Sequence, residues 1–258
     1  PGLHLCRGLL IVIANMCYFL ALAAMPLVDA MALFFISPLL ITALSVVMLG
    51  EQVGMRRWLA IVVGMLGMLI MLRPASGVFQ LAALLPLIAA LAYALMQMLT
   101  RRLGGTDRAS AMALYLQLTF VVVSALIGLA IGDGRFLNSD HASLSFLLRA
   151  WRWPEPAALG LMVFCGVCVA IGGYLLTQAY RLAQASVIAP FEYTALPWGI
   201  VLGYLLWGDI PDEITIIGIV LIVGSGLYVL YREGLRGSAT RGKSDSNSAS
   251  ATRPGAMR

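Results

Sequence analysis

The sequence predicts an all-α membrane protein with about eight transmembrane helices. Hydrophobic residues make up 61% of its 258 residues and charged residues only 11%, whereas soluble domains have roughly 45–50% and about 25%. Apolar stretches of about 20 residues recur along the chain, and a helix of that length crosses a ~30 Å hydrocarbon core. The stretches are continuous rather than alternating, which favours helices over a closed β-barrel.

The apolar stretches follow one another in order with mostly short connections. The third stretch is the shortest, and it needs extended ends to span a bilayer. The longest connection is 132–156, where Trp151 and Trp153 are expected to anchor at the outer membrane surface; a substrate-gating loop is the alternative. The predicted segments are 8–26, 29–49, 58–73, 80–100, 109–131, 157–179, 185–207 and 214–231.

The net charge of +5 comes from 17 Lys and Arg residues that lie in short clusters between the apolar stretches. These clusters form no continuous basic face, so no nucleic-acid partner is predicted. If the first segment begins inside the cell, 13 of the 17 basic residues are cytoplasmic. The positive-inside rule therefore predicts a multi-pass protein of the bacterial inner (plasma) membrane with both visible termini in the cytoplasm.

Two parts of the chain share a pattern at an offset of about 158 residues, namely 18–51 and 174–209. Each has an apolar helix, a short turn, a helix with a proline, and a turn of Gly followed by Glu51 or Asp209. Five predicted helices separate equivalent segments, so the second copy is inverted in the membrane. Inverted repeats are a recurring plan of secondary transporters, with the substrate site near the midplane between the repeats.

The repeat divides the chain into three parts. The second copy shows five helices and the first only three, so two helices of the first copy are expected to be missing. The sequence is then either a fragment of a longer protein or a natural truncation. The predicted parts are a partial first repeat at 1–76, a complete second repeat at 77–233, and a disordered cytoplasmic tail at 234–258.

Sequence signatures of enzymes and of ATP-driven transport are missing. The chain has no Gly-x-x-x-x-Gly-Lys-Ser/Thr loop, no His-Glu-x-x-His and no Gly-x-Ser-x-Gly. Cys165 and Cys168 have metal-ligand spacing but no neighbouring His or further Cys, so they are predicted to pack within a helix. The sequence therefore predicts a protein that is not an enzyme and has no cofactor and no metal.

The order of short motifs resembles the EamA-type drug/metabolite transporter family over about residues 5–233. Within that family the sequence is most similar to carriers of the S-adenosylmethionine-uptake type. The resemblance implies ten helices in two inverted five-helix repeats with both termini cytoplasmic, of which eight are visible here. The residues that show it are 21–30, Ser37-Pro38, Leu49-Gly50-Glu51, 57–60, 179–183, 189–193, Pro197-Trp198 and Gly208-Asp209.

Glu192 is the first candidate for a functional residue. A carboxylate deep in a membrane segment is costly unless it faces a cavity or a partner, so it marks a pathway. Its expected role is proton coupling or cation binding, and the alternative is a hydrogen-bonded carboxyl that only joins helices. Pro190, Pro197 and the related Pro38 are predicted gating residues, because proline removes a backbone donor and loosens a helix.

Aromatic and amide side chains one turn apart suggest a polar cavity, although interhelical hydrogen bonds are the alternative. We expect a secondary transporter that moves a small metabolite or drug-like molecule by alternating access, coupled to protons or to exchange; a channel or a non-transporting scaffold is the alternative. The expected partners are the small-molecule substrate and the lipid bilayer. A homodimer is a further alternative. The predicted substrate-binding residues are Glu192, Tyr193, Tyr93, Gln97, Tyr115, Tyr174 and Trp198.

Overall fold

The computed structural model describes residues 2–51, 54–72, 81–105, 107–133, 142–208, 211–228 and 231. Helices dominate these residues, and no strand occurs among them, so the predicted all-α class is confirmed. Short 3₁₀ turns lie at Leu81–Ala83 and Ala189–Thr194. The helices are α1 (Gly2–Leu22), α2 (Leu27–Phe34), α3 (Ser37–Leu49), α4 (Met55–Leu72), α5 (Leu84–Leu103), α6 (Ala109–Ile131), α7 (Ala142–Leu147), α8 (Pro156–Leu182), α9 (Ala185–Ile188), α10 (Ala195–Trp207) and α11 (Glu213–Tyr228).

Within the described part of the chain, six stretches are long and apolar enough to cross a membrane. They are α1, α2 with α3, α5, α6, α8, and the stretch from α9 to α10. Two shorter apolar helices, at Trp58–Met71 and Glu213–Tyr228, match the remaining predicted segments. The count of eight spans stays a prediction, and the tail at 234–258 lies outside the described residues.

Two differences from the predicted segments bring distant parts of the chain into contact. Helix α1 begins at Gly2, and Arg7 therefore lies within the helix, only 1% exposed, where its Nη2 donates to the carbonyl of Met112 at 2.6 Å. An intramembrane arginine is tolerated when a carbonyl accepts from it. The connection at 132–156 contains α7, and Ser143 of α7 donates to the carbonyl of Leu20 at 2.7 Å.

Two of the predicted spans are interrupted near their middle. The first breaks between α2 and α3, where Pro38 lies in the first turn of α3. The second breaks at the 3₁₀ turn Ala189–Thr194, which contains Pro190. A proline has no amide hydrogen to continue the helical ladder, so both breaks coincide with a local loss of hydrogen bonding.

The interrupted spans lie antiparallel to each other. Helix α2 packs against α10, while α3 packs against α9 and the 3₁₀ turn, so each span begins beside the end of the other. Both spans end in a glycine with positive φ, Gly50 at 67° and Gly208 at 73°. Such a matched antiparallel pair is what an inverted repeat requires, and the limits of the two repeats stay a prediction.

Close packing of α10 on α2 depends on small residues. A Cβ atom added to Gly199 would meet the Met31 side chain, and one added to Gly203 would lie 2.9 Å from Val28. These two glycines are four residues apart, a spacing that permits close approach of two helices.

Helix α5 occupies the centre of the bundle, in contact with α1, α2, α3 and α8. Its Ala89, Ala90 and Ala94 are fully buried. By contrast, α8 is exposed along its whole first part, from Pro156 to Leu175. The exposed side chains of α8 are mostly apolar, and a surface of this kind suits lipid rather than water.

Candidate functional site

A cavity of about 670 Å³ lies where the two interrupted spans meet α5 and α8. Small-molecule sites in proteins have volumes of roughly 300–1,000 Å³ and mostly apolar walls. Both breaks contribute to the walls, which explains why helix interruption and cavity coincide. The lining residues are Phe34, Phe35, Tyr93, Gly172, Leu175, Leu176, Ala179, Ile188, Phe191, Glu192, Thr194 and Ala195.

Glu192 is the acidic residue that lines this cavity. From the sequence, a carboxylate at this depth was expected to face a cavity or a partner. Its Oε1 accepts a hydrogen bond from the Tyr180 hydroxyl at 2.6 Å and another from the Tyr93 hydroxyl at 3.0 Å. Hydrogen bonds to an ionised acceptor are shorter and stronger than neutral ones. One carboxylate oxygen thus joins α5, α8 and the 3₁₀ turn, and the carboxyl group is positioned to exchange a proton or pair with a cationic ligand group.

Gln97 lies behind Tyr93 rather than in the cavity wall. Its Nε2 donates to the Tyr93 hydroxyl oxygen at 2.8 Å, and the side chain is only 2% exposed. The two residues are four apart in α5 and share a face, as their spacing predicts. Gln97 therefore orients the hydroxyl that Tyr93 presents to Glu192.

Aromatic rings form one side of the cavity. The Phe34 ring lies 5.4 Å from the Tyr93 ring and 5.2 Å from the Tyr18 ring, centroid to centroid. Rings at such separations attract each other in tilted or edge-to-face arrangements. The α2 break and α5 thus offer flat apolar faces beside the Glu192 carboxyl.

Tyr193 points away from the cavity, although it follows Glu192 directly. It is 3% exposed, its ring centre lies 5.9 Å from that of Phe35, and it packs against Gly226 of α11. Neighbouring residues of a tight turn point in different directions. Tyr193 therefore belongs to the core between the spans and α11.

Three further residues proposed from the sequence lie outside the cavity wall. Tyr115 stacks on His4 with ring centres 4.8 Å apart and is half exposed on α6. Tyr174 is 41% exposed and Trp198 71% exposed. The structure brings together Glu192, Tyr93 and, indirectly, Gln97 from the predicted set.

All three predicted gating prolines lie in a helix break or in the first turn of the helix that follows one. Pro38 is buried in the first turn of α3, and Pro190 lies in the 3₁₀ turn, although its side chain is outside the described residues. Pro197 is the third residue of α10 and follows the 3₁₀ turn, much as Pro38 is the second residue of α3 and follows the first break. A proline near a helix start removes only an amide that has no partner in the helix anyway.

Tyr180 was missed by the sequence reasoning. It is fully buried and makes the shorter of the two hydrogen bonds to Glu192. Its signal was weak, because polar side chains lie on several sides of the end of α8 and no hydrophobic periodicity marks the inward face. Only the contact with a carboxylate on the next span identifies it.

Glu51 is the other residue whose partner could not be read from the sequence. Its Oε1 accepts from the amide of Ala185 at 3.1 Å, and its Oε2 accepts from the amide of Ser186 at 3.3 Å. The carboxylate thus meets the start of α9, 134 residues away in sequence.

Metal-binding clusters are not found in the described part of the chain, where no group of three or more His, Cys, Asp or Glu residues is placed to hold an ion. Cys165 and Cys168 are free and exposed on α8. The site therefore consists of the cavity, its carboxyl group and the two tyrosine hydroxyls.

Comparison with known proteins gives matches over most of the chain. A riboflavin transporter of Vibrio cholerae is 32% identical over 90% of this chain and 72% of its own length. An S-adenosylmethionine uptake transporter of Rickettsia prowazekii is 25% identical over 90% of this chain and 73% of its own length. A solved crystal structure at 20% identity has the same fold, with a TM-score of 0.61 over 88% of this chain and 75% of the other.

Residues 3–73 match the EamA-like transporter family directly. The match agrees with the resemblance found in the sequence and with the interrupted antiparallel spans around a cavity. The protein is a multi-pass bacterial membrane protein and a secondary transporter of small metabolites, not an enzyme. The chain belongs to the EamA-like transporter family.

Proposed function

We propose that the protein transports a planar, largely apolar heteroaromatic metabolite by alternating access, with Glu192 as its proton- or cation-responsive group. The observation that supports this proposal is the cavity itself, in which Phe34, Tyr93 and Phe191 stand beside a carboxyl group held by two tyrosine hydroxyls. A flat ring system of the ligand can stack against aromatic walls. A ligand with only one polar edge needs few hydrogen-bonding groups in the cavity.

Riboflavin is the first substrate to test. A relative named as a riboflavin transporter is 32% identical to this chain, and the flavin ring is planar, uncharged and apolar along one edge. S-adenosylmethionine is the second, because a relative named for its uptake is 25% identical. Its sulfonium and ammonium groups would pair with the Glu192 carboxylate, so the two substrates differ in how strongly they depend on that residue.

Uptake into proteoliposomes distinguishes these substrates and separates a carrier from a pore. The purified protein should take up labelled riboflavin with saturation, and unlabelled riboflavin should compete. A flux that rises linearly at all concentrations would indicate a channel. A flux equal to that of empty liposomes would indicate a scaffold that does not transport. Saturable uptake of S-adenosylmethionine without riboflavin uptake would reassign the substrate class to cationic nucleosides.

The variant Glu192→Gln tests the role of the carboxyl group. Glutamine keeps the size and one carbonyl acceptor but can neither ionise nor bind a proton on oxygen. Uptake should become independent of an imposed pH gradient, and any uptake of a cationic substrate should fall by about tenfold or more through the loss of a charged partner. Glu213→Gln, an exposed acid at the start of α11, is the matched control. Unchanged pH dependence in Glu192→Gln would remove the coupling role.

The same mechanism needs two halves that move relative to each other. We place them at 1–76 and 77–233, related as inverted repeats, with both termini in the cytoplasm by the positive-inside rule. The antiparallel packing of α2 on α10 and of α3 on α9 supports this division. A homodimer is compatible with this division.

A further inference from the structure

Helix α9 is a four-residue segment, Ala185–Ile188, separated from α10 by the 3₁₀ turn that contains Glu192. Such a short helix has little stability of its own, because forming one turn fixes several dihedral angles for a single hydrogen bond. Its position must therefore be set by contacts with other elements. Ile188, Phe191 and Glu192 follow directly and line the cavity, so the position of α9 also decides where they lie.

Besides the apolar packing of Ala185, the start of α9 has a polar contact with Glu51. The first amides of a helix have no partner within the helix, and Gln184 at the cap position gives no side-chain hydrogen bond. The two oxygens of Glu51 accept from Ala185 and Ser186 instead, at 3.1 and 3.3 Å. A carboxylate is also the charge that a helix N-terminus favours.

Glu51 itself is fixed to the end of α3. The left-handed Gly50 turns the chain, and the amide of Glu51 donates to the carbonyl of Ser45 at 3.2 Å, six residues earlier. The amide of Gly50 donates to the same carbonyl, so the turn closes onto the end of α3. The Glu51 side chain therefore moves with α3, and its two hydrogen bonds join α3 to α9.

We propose that Glu51 is a positioning residue for transport: its carboxylate joins α3 to the start of the second interrupted span, and breaking this contact opens the cavity toward that end of the molecule. The proposal rests on the transport mechanism proposed above. It assigns to Glu51 the coupling between two spans that are antiparallel across the cavity.

The test measures access to the cavity from each side of the membrane and needs no substrate. All four native cysteines are replaced by Ser, and Ala179→Cys is introduced as a reporter in the cavity wall. A membrane-impermeant maleimide is then applied to right-side-out and inside-out vesicles. In a separate variant Gly54→Cys, which lies directly before the start of α4 at Met55, identifies the membrane face on which the Glu51 turn lies.

The variant Glu51→Ala should raise the ratio of labelling from the Glu51 face to labelling from the opposite face by about tenfold, since both hydrogen bonds to a charged acceptor are lost. Glu51→Gln keeps one carbonyl acceptor and should give a smaller rise of about threefold. Glu213→Gln is the acid-to-amide control at the start of another helix and should leave the ratio unchanged.

A labelling ratio within about twofold of the parent in both Glu51→Gln and Glu51→Ala would overturn the proposal. An equal increase in the labelling rate from both membrane faces would also overturn it, because that result indicates a general loosening of the protein. If Glu51→Ala does not fold, Glu51→Gln decides alone. A wrong substrate assignment leaves the labelling result untouched, and failure of the labelling test leaves saturable uptake standing, so the two proposals fail separately.

Discussion

At the scale of single residues, the Glu192 carboxyl is defined by its donors rather than by its depth in the membrane. Tyr180 and Tyr93 both donate to the same oxygen, at 2.6 and 3.0 Å. The sequence identified Glu192 and Tyr93 because a carboxylate and a Tyr–Gln pair are unusual in apolar segments. It could not identify Tyr180, because hydropathy does not show which of the polar side chains at the end of α8 faces inward.

Removing the Tyr180 hydroxyl should weaken both folding and the site. Tyr180→Phe keeps the buried ring but deprives Glu192 of its closer donor, so the free energy of unfolding should fall by about 1–3 kcal/mol. Thermal unfolding in detergent measures this loss. Tyr228→Phe, on the exposed surface of α11, is the control and should change stability by less than about 0.5 kcal/mol.

A double-mutant cycle links Tyr180 to Glu192 specifically. If the two side chains interact as the structure shows, the effects of Tyr180→Phe and Glu192→Gln should be non-additive by about 1 kcal/mol. Additive effects would mean that the hydroxyl contributes through packing alone.

At the scale of helices, the sequence predicted the existence and approximate order of the spans but not their interruptions. The number of consecutive apolar residues indicates whether a segment can span the membrane. That number is the same whether the helix is continuous or broken. The prolines marked where a span is loosened but not the form of the break, because Pro190 lies inside the second break while Pro38 and Pro197 lie in the first turn after a break.

Glycine packing between α4 and α11 provides a test at this scale. A Cβ atom on Gly67 would lie 2.9 Å from the Gly218 carbonyl oxygen, and one on Gly218 would lie 2.9 Å from the Gly67 carbonyl oxygen. Gly67→Ala and Gly218→Ala should each lower the free energy of unfolding by about 1–3 kcal/mol through overpacking.

Gly160 of α8 is the matched control, because nothing lies within 4 Å of a Cβ atom added there. Gly160→Ala should leave stability unchanged or raise it by up to about 1 kcal/mol, since alanine favours the helix. Thermal unfolding of the three variants compares them directly, and an equal loss in Gly160→Ala would show that crowding is not the cause.

At the scale of the whole molecule, charge distribution predicts the orientation that contacts alone do not fix. The connection between α5 and α6 is flanked by Arg101, Arg102 and Arg108, whereas the connection before α11 contains Asp212 and no basic residue. The positive-inside rule places the first in the cytoplasm and the second outside.

Reporter fusions measure this orientation. A fusion truncated after Gly105 should make green fluorescent protein fluorescent and alkaline phosphatase inactive, and a fusion after Asp212 should give the opposite pair of results. Reversal of both pairs would invert the assigned topology, while identical results at the two sites would contradict the number of spans between them.

The partnership of Gln97 with Tyr93 has a consequence for how the protein is made. Tyr93 and Glu192 are 99 residues apart, so at about 5–20 residues per second α5 is complete roughly 5–20 s before its carboxylate partner is synthesised. During that interval a tyrosine hydroxyl in lipid needs a hydrogen-bonding partner. Gln97, one turn away on the same helix, donates to the Tyr93 oxygen before Glu192 is synthesised, so α5 can wait in the bilayer with the acceptor side of the tyrosine hydroxyl already satisfied.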